Sequence, residues 1–319
     1  MNEVLLKFGI GLAILLFSTQ KLVRLAEKVS RIFRISPLIV GITVVAIGTS
    51  LPELAVSLIS IARHDVGLAI GNIIGSNIVN VLMVLPVGLF IDSKLRIGTT
   101  KTQRNALILL GVTLIFFLTQ FAGTGKAVSG VFLMGLAAVI SVIEYRLAVF
   151  GRTHEDSRRF KGMRNGKLGW GAIFFGLLFV LGIIGGGILV IDSVEKISLL
   201  TGISTTVLGL TLTAVATSLP ELLTTIFSQE DYEEKITVGN ILGSNIYNLL
   251  LVGGIISLFP LTVVIQTKEW IWLAITTIGF VYVLRRYKGQ KPPRLIGVIF
   301  LLALFVYLLS QQGFSIKFP

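Results

Sequence analysis

One stretch of this sequence occurs twice, and it constrains the fold more than any other feature. Residues 43–80 read TVVAIGTSLPELAVSLISIARHDVGLAIGNIIGSNIVN, and residues 211–248 read TLTAVATSLPELLTTIFSQEDYEEKITVGNILGSNIYN. They align without a gap at an offset of 168, with 17 of 38 positions identical. Weaker matches continue upstream at the same offset: Glu27 with Glu195, Lys28 with Lys196, and Ile35-Ser36 with Ile203-Ser204. The chain is read as one domain over 1–319, built of two homologous halves, 1–145 and 168–319. The polar connection 146–167 joins them and is too short to be a domain.

Each half is a set of apolar blocks near the length that crosses hydrocarbon, roughly 20 residues as helix. The chain is 54% hydrophobic and only 14% charged, with a mean hydropathy of +0.89, too little charge to cover a water-soluble surface. The expected fold class is all-α polytopic membrane protein. Ten spans are placed near 4–20, 36–62, 66–90, 105–122, 126–144, 168–191, 203–228, 235–259, 269–284 and 295–311. The opening MNEVLLKFGIGLAILLF has no basic leader and no small-residue cleavage site, so it is read as the first span and not a signal peptide. Five spans per half is an odd number. The second half therefore enters the membrane from the other side, and the halves are inverted about a pseudo-two-fold axis in the membrane plane. That is the plan of secondary transporters, whose sites sit at broken helices near the midplane.

The formal charge of +12 is a topology signal and not a mark of a nucleic-acid partner. Of the 28 Lys and Arg, 22 fall in alternate connections: 21–34, 94–104, 146–167, position 235 and 285–294. The positive-inside rule makes these cytoplasmic. The expectation is a multi-pass cell-membrane protein with both termini extracellular or periplasmic. Its expected partners are membrane lipid and transported cations, with no cofactor and no obligatory protein partner. The absence of Cys removes disulfides and thiolate metal sites.

Among the 16 acidic residues, only Glu53 and Glu221 fall well inside apolar spans, and they are repeat equivalents. A charged side chain at membrane depth costs about 2.5–3.5 kcal/mol on insertion scales, and it normally serves function. Locally, SLPE reads as a helix start, with Ser50 or Ser218 as N-cap, Pro52 or Pro220 in the first turn and Glu three residues on. Capping does not explain why a helix restarts in mid-membrane. Proline lacks an N–H, so Pro52 leaves the Gly48 carbonyl without its helical partner, and Pro220 does the same to Ala216. Carbonyls beside a carboxylate are hard oxygen ligands, suited to Na⁺, Ca²⁺ or Mg²⁺. Four-residue spacing puts Ser76 and Asn80 on one helical face, and likewise Ser244 and Asn248. Asn72 and Asn240 extend those stripes. The stripes are read as ion-coordinating. Gly71 with Gly75, and Gly239 with Gly243, form GxxxG patterns read as helix packing.

The paired motifs GTSLPEL…GNIIGSNIVN and ATSLPELLTT…GNILGSNIYN resemble the two repeats of the sodium/calcium exchanger family, within the calcium/cation antiporter superfamily. The resemblance implies a ten-helix antiporter, not an enzyme, with four central ion sites. It implies ligands from Thr49, Ser50, Glu53, Ser76 and Asn80, and from Thr217, Ser218, Glu221 and Ser244, with the carbonyls of Ala46 and Ala214. It also implies that the first and sixth helices slide across the remaining core. Several prokaryotic members carry Asp where this chain has Asn248, so only two carboxylates remain here, which bears on ion stoichiometry. The connection 146–167 leaves no room for a large regulatory domain. Gly75 and Gly243 stand where the proton-coupled branch usually has Glu, which favours sodium coupling.

The expected function is thus Ca²⁺ export coupled to Na⁺ entry by alternating access. One alternative is an H⁺/Ca²⁺ antiporter on the same fold, with the two glutamates carrying the protons. Another is a cation channel, which gains little from broken helices in inverted repeats. An intramembrane enzyme finds no HExxH, no paired catalytic aspartates and no His inside a span.

Overall fold

A computed structural model describes residues 1–32, 46–91, 97, 100–121, 126–150, 170–227, 235–259 and 266–311. Among these residues there is no strand, only an isolated bridge between Ile97 and Gln290. The first half contains α1 (Asn2–Ile32), α2 (Ala46–Thr49), α3 (Leu51–Ala62) and α4 (Val66–Val79). A π-turn (Asn80–Val84) leads into α5 (Leu85–Ile91), followed by α6 (Thr100–Phe121) and α7 (Lys126–Phe150). The second half opens with α8 (Trp170–Thr201) and α9 (Thr205–Leu208). A π-turn (Gly209–Thr213) joins α9 to α10 (Ala214–Thr217), which is followed by α11 (Leu219–Phe227) and α12 (Lys235–Tyr247). A third π-turn (Asn248–Val252) leads to α13 (Gly253–Ile256), and α14 (Thr267–Arg286) and α15 (Arg294–Gln311) complete the chain.

Local chemistry accounts for the shorter elements. Asp65 caps α4, its carboxylate accepting the Leu68 N–H at 2.9 Å, and Ser204 caps α9 by accepting from Val207 at 3.3 Å. The proline-free apolar runs of α1 and α8 extend over 31 and 32 residues and begin at repeat-equivalent positions. At ~1.5 Å per residue each is about 45–48 Å long, more than the ~30 Å hydrocarbon core, so each tilts or projects from it.

Among the described residues eight helical stretches are long and apolar enough to cross a membrane: 2–25, 66–91, 102–120, 127–147, 170–201, 205–226, 238–256 and 294–311. Two of the ten expected spans are not among them. Leu51–Ala62 is a shorter apolar helix, and its expected beginning, 36–45, lies outside the described residues. α14 is helical for 20 residues but carries Lys268 and Glu269 at its start and Arg285 and Arg286 at its end. α7 runs on to Phe150, past residue 145.

Two apolar clusters hold the bundle together. The larger joins α4, α5, α6, α12 and α14 through residues such as Ile74, Leu85, Leu109, Ile241, Leu250 and Phe280. The smaller is built around the α1–α8 pair, with Phe8, Leu15, Val190 and Val194 meeting Val56 and Leu208. α1 and α8 cross closely: a Cβ on Gly186 would lie 2.6 Å from the Leu15 nitrogen, so only glycine fits there. The outward faces of α1, α6, α7, α8, α14 and α15 carry exposed large apolar residues, including Leu6, Leu114, Phe132, Leu181, Ile275 and Phe305. Such a continuous apolar exterior is a lipid-facing surface.

Polar contacts join the helix ends. At one end, Arg63 pairs with Asp192 and with Glu195, and Thr205 donates to Asp65 at 3.0 Å. At that end too, Lys268 donates to the Ser310 carbonyl at 3.3 Å. At the other, Ile97 bridges Gln290, and Gln103 donates to the Leu284 carbonyl at 2.8 Å.

Candidate functional site

The two halves meet through the repeated motifs. α4 packs against α9, the second-half π-turn and α10, while α2 packs against α12. α3 rests on the π-turn Asn248–Val252, and α11 on the π-turn Asn80–Val84. Each bent segment thus faces the π-turn of the other half. The two π-turns begin at repeat-equivalent residues, Asn80 and Asn248, and π-turns of this kind concentrate at functional sites.

The expected capping box does not form. Ser50 occupies the N-cap position of α3 but has φ −85° and ψ 4°, and its side chain makes no cap bond. Ser218 is similar, with φ −79° and ψ 0°. These angles lie close to the helical region, not in the extended conformation a capping residue adopts, so the hydroxyls turn away from the backbone. The chain bends at each serine without unwinding: Leu54 N–H still reaches the Ser50 carbonyl at 3.0 Å, and Leu222 N–H the Ser218 carbonyl at 3.2 Å. The Ala216 carbonyl, which Pro220 cannot serve, is left with the Ser218 N–H.

Glu53 and Glu221 are fully buried, and none of their four carboxylate oxygens receives a hydrogen bond of ordinary geometry. Ser76, Thr217 and the Glu221 carboxylate lie around Glu53, and Thr49 lies beside Glu221. The hydroxyls are held by a pair of bonds related by the repeat. Thr49 donates to the Asn240 side-chain oxygen at 3.3 Å, and Thr217 to that of Asn72 at 3.2 Å. Ser76 and Thr217 are 3.2 Å apart, and the Asn72 amide reaches the Glu53 carbonyl at 3.4 Å. Ser244 donates to the Asn240 carbonyl at 2.9 Å and accepts from Asn80 at 3.4 Å.

The remaining site candidates fall into place around these. The side-chain oxygens of Ser50, Ser218, Asn80 and Asn248 are buried without a hydrogen-bond partner, as is the Thr213 hydroxyl. Ala46 opens α2 and Ala214 opens α10, where the Ala214 carbonyl accepts the Ser218 N–H at 3.1 Å. Pro52 is buried and Pro220 half-buried, each in the first turn after its bend. Gly71 and Gly75 are points of close contact: a Cβ would fall 2.5 Å from the Thr206 carbonyl oxygen and 2.6 Å from that of Leu210, respectively. Gly239 is exposed, and among the described residues a Cβ there would meet nothing within 4 Å; the repeat equivalents of Thr206, Gly209 and Leu210, which press on Gly71, lie outside the described residues. Gly243 is half-buried within α12.

Some buried polar residues of the site were passed over by the stripe argument. Asn80 donates to Asn245 at 3.0 Å, and Asn245 donates to the Asn77 carbonyl at 3.0 Å, so this pair sits where the halves meet. Ser57 accepts from Asn72 at 3.4 Å, and its repeat partner Thr225 is equally buried. Asn77 with Asn245, and Ser57 with Thr225, keep the offset of 168, which is the signal that marks them.

Buried polar atoms without partners are rare in folded proteins. Here carboxylate, hydroxyl and amide oxygens of that kind converge from both halves, around two carboxylates with no ion-pair partner among the described residues. The other buried acids have cations beside them, Glu144 with Arg104 and Glu269 with Lys268. An all-oxygen set with two negative charges suits a hard cation.

Comparison with known proteins agrees with this arrangement. The family described as sodium/calcium exchanger protein matches residues 4–146 and again residues 170–312. The inner membrane protein YrbG of Escherichia coli is 30% identical over 298 residues, covering 91% of each chain. The sodium/calcium exchanger MaX1 of Methanosarcina acetivorans is 28% identical over 339 residues, covering 94% of this chain and 96% of that one. The solved sodium/calcium exchanger of Methanococcus jannaschii superposes with a TM-score of 0.61 at 27% identity, over 98% of this chain and 99% of the other. By its matched halves and by its length-wide relatives, the chain belongs to the sodium/calcium exchanger family.

Proposed function

We propose that the protein exchanges Na⁺ for Ca²⁺, moving Ca²⁺ out and Na⁺ in by alternating access. The observation that carries this is the pair Glu53 and Glu221, repeat-equivalent, fully buried, and surrounded by hydroxyl and amide oxygens with no cation among the described residues to balance them. Ligands come from Thr49, Ser50, Glu53, Ser76 and Asn80 in the first half and from Thr217, Ser218, Glu221, Ser244 and Asn248 in the second. The carbonyls of Ala46 and Ala214 complete the set. Both termini face outward and the connection 146–167 faces the cytoplasm. The ten-span count, with a further span ending in α3 and α14 as the ninth expected one, is part of the same proposal.

α1 and α8 form a unit of their own, joined to the rest by the smaller apolar cluster. That supports a cycle in which the pair slides over the remaining bundle and opens the site to one side at a time. Exporting Ca²⁺ against a gradient on the order of ten-thousandfold and about 100 mV costs about 10 kcal/mol. Each Na⁺ entering down a roughly tenfold gradient and the same voltage supplies about 3.7 kcal/mol. Three Na⁺ suffice for that gradient and two sustain a shallower one. Two carboxylates balance two Na⁺ or one Ca²⁺.

The test is ⁴⁵Ca²⁺ uptake into vesicles of purified protein, with Na⁺ and pH gradients imposed separately. An outward Na⁺ gradient should drive uptake, and a pH gradient without Na⁺ should not. Uptake driven by pH alone would move the protein to proton coupling. Flux that neither saturates nor depends on the trans ion would mark a channel.

A further inference from the structure

Tyr307 lies on α15 and is not among the residues assigned above to the ions. Many large side chains of that helix, among them Leu295, Ile299, Leu302 and Phe305, are exposed and others are partly buried, whereas Tyr307 is fully buried. Its hydroxyl donates to the Leu210 carbonyl at 2.8 Å, and Trp272 of α14 packs edge-on against its ring at 5.5 Å.

The Leu210 carbonyl has a particular place in the backbone. In a regular α-helix the Ala214 N–H would bond to it, four residues back. In the π-turn Gly209–Thr213 that N–H goes to the Gly209 and Thr211 carbonyls and passes Leu210 over. A buried carbonyl without a donor is costly, and the Tyr307 hydroxyl supplies the donor. The extra residue of a π-turn also turns everything downstream by about 100° relative to a continuous α-helix of ~3.6 residues per turn. Downstream lie Thr213, Ala214, Thr217 and Ser218, the second-half side of the site. From the opposite side Gly75, the neighbour of Ser76, presses on the same carbonyl: a Cβ there would lie 2.6 Å from the Leu210 oxygen. The repeat equivalent of Tyr307 is Val139, which is exposed and has no side-chain donor.

We propose that Tyr307 is a positioning residue whose hydroxyl caps the carbonyl released by the second-half π-turn and so fixes the rotational register in which Thr213, Thr217 and Ser218 face the transported cation. This rests on the reading of the central cluster as the cation site. Tyr307→Phe keeps the ring and its contact with Trp272 and removes only the donor.

In reconstituted vesicles the apparent KM for Ca²⁺ should rise about three- to tenfold, the range for one lost hydrogen bond, with the maximal rate changed less than about twofold. Backbone amides in 209–217 should exchange hydrogen faster, while those in the first-half π-turn, 80–84, stay as they are. Unchanged KM and unchanged exchange in Tyr307→Phe would overturn the proposal. So would a uniform rise in exchange across the protein, which marks a tyrosine that only fills space. Tyr307→Leu, lacking ring and hydroxyl, should show the same local exchange and a lower Tm. If Leu loosens the segment and Phe does not, packing alone holds it and the proposal fails. Hydrogen exchange is read without transport, so an unaltered protein that moves no Ca²⁺ refutes the exchange reading while the register test still gives its answer.

Discussion

Gly71 and Gly239 occupy the same place in the two copies of one motif, and alanine should act on them with opposite signs. At Gly71 a Cβ would sit 2.5 Å from the Thr206 carbonyl oxygen, 3.1 Å from the Leu210 nitrogen and 3.3 Å from the Gly209 Cα. All three are backbone atoms, so no side chain can swing aside. Ordinary carbon contacts begin near about 3.5 Å, so α4 and the α9–α10 segment would have to part by about 1 Å. Overpacking of this kind costs about 1–3 kcal/mol. The helix-propensity gain of about 1 kcal/mol from removing a glycine offsets only part of it. At Gly239 the gain stands alone, because nothing among the described residues lies within 4 Å. Gly71→Ala should therefore lower the Tm of the purified protein by several degrees and cut cation exchange, since the displaced backbone includes the π-turn before Thr217. Gly239→Ala should leave the Tm unchanged or raise it slightly, by about 0.5–1 kcal/mol in stability. Thermal unfolding of the two variants in one detergent, with flux in vesicles, makes the comparison. Equal effects at both positions, or a neutral Gly71→Ala, would refute the close crossing on which the account of the site depends.

Glu53→Gln and Glu221→Gln should each abolish Ca²⁺ flux while the protein still inserts and folds. Near-normal exchange in either variant would reduce that residue to a structural role. Cysteines at Asn2 and Thr201 should react with a membrane-impermeant thiol reagent from one side, and a cysteine at Gln290 from the other. Labelling of all three from one side would break the inverted arrangement. Asn248→Asp adds a third carboxylate where a buried amide now has no partner, so exchange should become more dependent on pH and on membrane potential. Asn248→Ala should weaken exchange less than loss of either glutamate, because no formal charge is removed, and unchanged pH and voltage profiles for Asn248→Asp would place the residue outside the ion site.

Much of this was legible in the sequence because it rests on composition and on periodicity. The offset of 168 gives the halves, and α1 and α8 begin at repeat-equivalent residues as that offset requires. Glu53 and Glu221 stand out because charge at membrane depth is costly, and no local context can hide that. The π-turns left no such mark. Their segments, NVLMV, GLTLT and NLLLV, are apolar runs that suit a continuous helix, and the extra residue shows only in which carbonyl each N–H selects. Tyr307 was invisible for the same reason, since its partner is a backbone atom 97 positions away. The capping box failed because a motif of side-chain types does not fix the φ and ψ at Ser50.

The difference between Gly71 and Gly239 bears on the mechanism. In the proposed inverted arrangement the axis relating the halves lies in the membrane plane, so the operation that exchanges the halves also exchanges the two sides of the membrane. Two halves in the same conformation would leave the site equally open, or equally closed, to both. Here the halves differ in detail despite their shared sequence. Asn80 donates to Ser244 and Asn245, whereas its equivalent Asn248 has neither side-chain atom bonded. Gly71 is pressed against backbone, whereas Gly239 meets nothing within 4 Å among the described residues. If the proposed cycle exchanges the conformations of the halves, these contacts exchange with them. Asn248 then donates towards Ser76 and Asn77, and α12 closes at Gly239 as α4 opens at Gly71. Hydrogen exchange compared between Na⁺-loaded and Ca²⁺-loaded protein, under conditions that shift the resting state, should show protection moving in opposite directions in 67–79 and 238–247. Protection that rises or falls together in both segments would mean that the cation only tightens the site, and that the asymmetry between the halves is fixed and takes no part in transport.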